Sequence, residues 1–134
     1  MADITVTAAN VKVVSGAVKR TENAGATITA GQAVYLDSST KWALCDADTE
    51  ATAACDGIAL HASLDGQPLT VMSGGTLNLG ATLTVGEPYV VSTTAGGIAP
   101  ESDLASGDFV TYLGTALTTA NIALKIDNTA TAKA

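Results

Sequence analysis

Residues 80–92 read GATLTVGEPYVVS, and residues 25–37, fifty-five positions earlier, read GATITAGQAVYLD. Five of the thirteen positions are identical and three more carry similar side chains. Neither copy holds a nucleophile beside a base, a cluster of metal ligands or a basic patch, so the phrase is there to make structure. The likeness runs on past it. Each copy is followed by a polar turn, then an acidic stretch (46–56 and 101–108), then Gly-x-Ala-Leu (Gly57–Leu60 and Gly114–Leu117). Each half then closes on an alternating run, Leu69–Met72 and Ile122–Ile126. The offset drifts from 55 to 57 residues, as it does when duplicated supersecondary units keep their strands and vary their turns. The pattern predicts one β domain over 25–127, built from two similar halves, 25–79 and 80–127, with strands over Ala26–Leu36 and Ala81–Val91.

Period-two alternation recurs at Ile4–Thr7, Val11–Val13, Val34–Leu36, Leu69–Val71 and Ile122–Ile126. Such Thr- and Val-rich runs suit strands with one buried and one wet face. The thirteen glycines fall mostly between them, where turns need positive φ. Many short strands at even spacing predict an all-β fold, a small β-sandwich or barrel-like domain. Only Asp46–Ala54 reads as helical, a turn or short helix that Asp46 could cap, with Pro100 suited to a first helical position in the matching place. Residues 1–24 stand outside the duplication as an N-terminal arm, and 128–134 read as a flexible tail.

Small side chains set the energetics. Of the 134 residues 47 % are hydrophobic but only 4 % are aromatic and 14 % charged, so the core is thin and gains from association. Thirteen acids against six bases give a net charge of −7, which argues against nucleic-acid binding. The charge is uneven. Residues 1–24 carry Lys12, Lys19 and Arg20 against Asp3 and Glu22, a balance of +1, and the rest of the chain stands at −8. No apolar run approaches the roughly 20 residues of a membrane span, and the first ten residues lack the regions of a signal peptide. Cys45 and Cys55 fit either two buried thiols or a disulfide.

The candidate chemistries fail on spacing. Asp46-x-Asp48-x-Glu50 opens like a calcium loop but puts Ala51 and Gly57 where a glycine and a bidentate acid belong. His61 is the only histidine and reads as a surface residue. Ser73 precedes two glycines without a Gly-x-Ser-x-Gly elbow, and Gly74-Gly75 and Gly96-Gly97 lack the Lys and Ser/Thr of a phosphate loop. Trp42, Tyr35, Tyr89, Phe109 and Tyr112 lie in or beside strands, as core or interface residues. No catalytic, cofactor-binding or metal-ligating residue is assigned, and the chain is not read as an enzyme.

AGQAVYLD (residues 30–37), GIALHASLDGQPLTVMSGG (57–75) and VGEPYVVSTTAGGIAPESDLASGDFVTYLGTAL (85–117) resemble the capsid decoration, or cement, proteins of tailed bacteriophages and the related head-fibre modules. The likeness spans about residues 24–127 and lies in a style of sequence rather than an invariant motif. It implies a small β-rich virion protein without cofactor, usually a homotrimer, made in the host cytoplasm and seated outside the capsid on the major capsid protein. A tail or head-fibre module that binds a receptor or glycan is the alternative. On the residues' own account, the alternating basic arm supplies the capsid contact through Ile4, Val6, Val11, Lys12, Val13, Lys19 and Arg20, either as an added strand or simply as the first strand of the domain. Tyr89, Phe109 and Tyr112 are the expected subunit-interface residues.

Overall fold

The computed structural model describes residues 3–133; residues 1–2 of the expected arm and Ala134 of the expected tail lie outside the described residues. Nine strands follow one another along the chain: β1 (Lys12–Ala24), β2 (Ala33–Leu36), β3 (Lys41–Leu44), β4 (Gly57–Ala59), β5 (Pro68–Asn78), β6 (Pro88–Val91), β7 (Ile98–Pro100), β8 (Phe109–Ala116) and β9 (Asn121–Ala132). A single-turn helix α1 (Glu50–Ala53) lies between β3 and β4, and a 3-10 turn (Glu101–Asp103) holds the matching place between β7 and β8. Thr49, not Asp46, caps α1, its Oγ1 accepting from the Thr52 amide. The fold is all-β.

The repeated phrase is a turn rather than the start of a strand. In both copies the amide of the eighth residue bonds back to the carbonyl of the fifth, Gln32 to Thr29 and Glu87 to Thr84. The seventh residue, Gly31 or Gly86, sits at φ +88° or +83°. That backbone favours glycine, and strand β2 or β6 begins only after it. Both turns then clamp to the same place. Gly31 and Gly86 donate to Ala59 and Ala116, and those two residues donate back to Gln32 and Glu87.

The two halves follow the same pairing scheme. Strand β2 pairs with β3 and β4 as β6 pairs with β7 and β8, all antiparallel. Val34 faces Gly57, and Tyr89, fifty-five residues on from Val34, faces Gly114, fifty-seven on from Gly57. The strand order is β1-β3-β2-β4-β5-β9-β8-β6-β7, with β1 also hydrogen-bonded to β5. The first five strands therefore close into a ring, the barrel-like element of the fold. Inside it pack Ala24, Ile28, Val34, Trp42, Ala59, Leu69 and Val71, and the Trp42 indole N–H donates to the Leu69 carbonyl. Their counterparts Leu79, Leu83, Tyr89, Ile98, Ala116 and Ile122 belong to the larger core cluster, which Ala33, Ile58 and Met72 join from the other face of the ring strands.

Strand β5 serves both halves, closing the first against β1 and opening the second against β9. In the first half the β1 end lies directly on β3, with Asn23 opposite Lys41 and the Gly25 amide bonded to Trp42. The second half has no such contact between β5 and β7. Residues 3–7 bridge the gap, Ile4 donating to Ile98 and Thr7 to Gly80.

Two expectations are corrected here. Residues 12–24 are not an arm but the ring-closing strand, because their ladder with β5 runs from Lys12–Asn78 to Asn23–Pro68. Residues 128–132 are not a loose tail, since Asn128, Thr131 and Ala132 pair with Thr111, Val110 and Phe109 on β8. Among the described residues no helix is long and apolar enough to cross a membrane.

Candidate interaction surfaces

Burial divides the ten residues expected to touch partners. Val11 is 9 % exposed and Tyr89 2 %, and the Tyr89 hydroxyl accepts from the Thr84 amide inside the second half. Ile4, Val6 and Val13 pack against the main core. Val11 and Tyr89 are thus withdrawn from any partner, while Ile4, Val6 and Val13 stay half-buried. Lys12, Lys19 and Arg20 are exposed, while Phe109 and Tyr112 are half-buried.

The exposed basic residues share β1, whose ladder with β5 is broken by register shifts between Val13 and Lys19. Glycines make the shifts possible. Gly16 has φ +65°, and a Cβ on Gly75 would stand 2.5 Å from its carbonyl oxygen. Beyond the bulges Lys19, Arg20 and Thr21 are exposed in succession, and Val14 and Val18 are 48 % and 59 % exposed. Only Asn23 and Ala24 pair on the strand's other side, with β3. From Lys12 to Glu22 that second edge carries no ladder, and such an edge is a template for association. Arg20 Nε lies 3.0 Å from Glu22 Oε2, in an exposed pair that contributes little to stability.

A second surface lies beside α1. Its C-terminal side is fixed by Asn128, whose Oδ1 accepts from the Cys55 amide and whose Nδ2 donates to the Cys55 carbonyl, while Thr111 Oγ1 donates to Ala53. Between these elements opens a concavity of about 430 Å³ lined by Ala51, Ala53, Ala54, Phe109 and Ala130, with Glu50 at its margin. Ala130 sits at φ +54°, strained for a residue with a Cβ, where β9 bulges out of register with β8. The approach is acidic. Repulsion from Asp46 first, then desolvation, a hydrogen bond to Asp46 and repulsion from Asp108, raises the Asp48 carboxyl above its usual range. Composition and spacing gave no signal for this concavity, because Asn128 and Ala130 fall in the stretch read as tail.

A third concavity, of about 600 Å³, lies along β6, β8 and β9, lined by Pro88, Tyr112, Thr115, Lys125, Ile126 and Asp127. Gly114 also lines it, and a Cβ there would collide with the Ala123 carbonyl, so β8 approaches β9 this closely only with glycine at that position.

The residues weighed for chemistry have structural work. His61 accepts at Nε2 from the Thr70 amide, so its Nδ1 carries the proton donated to Ala62. Cys45 and Cys55 are buried free thiols. The Cys55 thiol donates to the carbonyls of Val34 and Gly57, and burial, with smaller contributions from Cys55, Asp56 and Asp46, pushes the Cys45 thiol far up. Among the described residues no group of three or more His, Cys, Asp or Glu is placed to hold a metal ion. No known family, curated protein or solved structure matches the chain.

Proposed function

We propose that the chain is a structural virion protein that seats on the outside of a tailed-phage head and cements contacts between capsomers, its copies associating as a trimer. One observation carries the reading: an exposed basic strand, β1, on a firmly packed β body of opposite charge. A coat protein works through many modest, identical contacts, which multivalency turns into firm attachment. Thr- and Val-rich strands lose little side-chain entropy on docking, and a −8 body turned to solvent discourages adhesion between particles. Lys12, beside the exposed Thr5, Thr7 and Asn10, borders a polar concavity with Asn78 and Thr82. That face we assign to the major capsid protein. No catalytic role is part of the reading.

Mixing the protein with heads that lack it, and imaging them by electron microscopy, is the test. Regular added density and a higher temperature of head disruption are expected, both reduced for Lys12→Glu. Bare heads at saturating protein would sink the proposal. The concavity holding Tyr112 favours one second reading, a fibre module that binds a glycan, since an aromatic ring flanked by Thr115, Lys125 and Asp127 offers stacking beside polar partners. Glycan binding lost in Tyr112→Ala, with no coating of heads, would favour it.

A further inference from the structure

The middle of β1 and the concavity beside α1 are opposite in charge and alike in apolar content. On β1, Val14 and Val18 are exposed, with Val18 directly before Lys19 and Arg20, along an edge that from Lys12 to Glu22 has no ladder partner. Beside α1, alanine methyl groups and Phe109 line a recess bounded by Glu50 and approached past Asp48, Asp46 and Asp108. We propose that the β1 edge of one copy docks, valines inward, into the α1 recess of a second copy, with Lys19 and Arg20 against the acidic approach.

Charge complementarity selects a second copy as the occupant. Among the described residues the other exposed large hydrophobics are Leu64, Val85 and Leu117, and none stands next to a lysine or arginine in sequence. The acids around Asp48 repel one another, so a cation there relieves repulsion as well as forming pairs. Small alanine side chains leave room for valine methyl groups, and burying each of these contributes favourably. The two surfaces differ, so the contact is head-to-tail: it closes into a ring if the rotation allows and otherwise extends as a filament. The inference rests on the reading that copies associate. Its test runs in solution without capsids, so it fails independently of the capsid assignment.

Sedimentation equilibrium at neutral pH compares wild type with an edge variant, Lys19→Glu with Arg20→Glu, and a recess variant, Asp48→Lys with Glu50→Lys. All four positions are exposed. Wild type is expected to associate more weakly as salt rises, and each variant alone to weaken association about tenfold or more, since facing like charges cost well over a kilocalorie. An equimolar mixture of the two variants is expected to associate more tightly than either variant alone, because the reversed edge of one then meets the reversed approach of the other. Val18→Lys supplies a further edge variant should either charge reversal misfold. A wild type monomeric at high concentration and low salt overturns the proposal. So does a folded edge variant that associates as tightly as wild type, or a mixture no tighter than its components.

Discussion

Gly31 and Gly86 occupy the same position of the repeated turn, with nearly the same φ, yet their surroundings differ. A Cβ on Gly31 would lie 2.5 Å from Val6 Cγ1, whereas one on Gly86 would meet nothing within 4 Å. Gly86→Ala therefore isolates the left-handed backbone cost, roughly 1–2 kcal/mol. Gly31→Ala adds the cost of displacing Val6, about 1–3 kcal/mol more by analogy with overpacked cores. Urea denaturation of the two variants checks the difference; equal losses would mean that Val6 does not press on the turn. The Cys45 thiol sets a pH dependence with a definite sign. Its native pKa is raised above the 9.0 of an ordinary thiol, so its contribution is fully present below that value. As pH climbs through 9 the unfolded chain releases a proton that the native state keeps. Stability then declines by about 1.4 kcal/mol per pH unit for that group. Thermal melts from pH 7 to 10.5 with wild type and Cys45→Ala are expected to diverge above pH 9, and native protein is expected to resist alkylation at both cysteines.

Among the elements, α1 is the least self-sufficient, a single turn held by side chains of β8 and β9. Asn128→Ala leaves the Cys55 amide and carbonyl without their partner, at a cost of about 1–3 kcal/mol. Hydrogen exchange at Cys55 and around α1 is expected to quicken while β6 and β7 stay protected; unchanged exchange would remove Asn128 from this role. What could be read in the sequence follows from the same local logic. The equivalence of Gly57 with Gly114 was legible because a missing side chain at a crowded strand crossing is a constraint that repeats with the fold. The start of β2 differs from the expected strand over Ala26–Leu36: Gly31, a glycine of the kind that marks turns, sits at positive φ and closes a turn before the strand begins. At Asn128–Ala132 small polar residues imitate a tail although they pair with β8, since composition does not report a ladder partner. The acidic approach to α1 was visible as Asp46–Glu50, but the recess was not. Its far wall comes from β8 and β9, some sixty residues or more along the chain.

For the whole molecule, the placement of residues 3–11 decides how it tolerates shortening. Ile4 and Val6 pack on the main core, and Ile4 and Thr7 bridge β7 to Gly80. Deleting residues 1–11 is expected to lower the melting temperature and expose apolar surface to a dye such as ANS, while deleting 1–24 removes the ring-closing strand and leaves no cooperative transition. A shortened chain that melted like the full one would show the bridge to be dispensable. Strand β5 has a wider consequence. Tandem repeats that meet only at an interface can melt one after another, like beads loosened from a string. Here the two halves own one strand in common, so neither can lose its last rung without taking the other's first. Calorimetry is accordingly expected to record a single peak whose measured and van't Hoff enthalpies agree, and in a chain severed between Leu79 and Gly80 the second fragment, which lacks β5, should not fold alone.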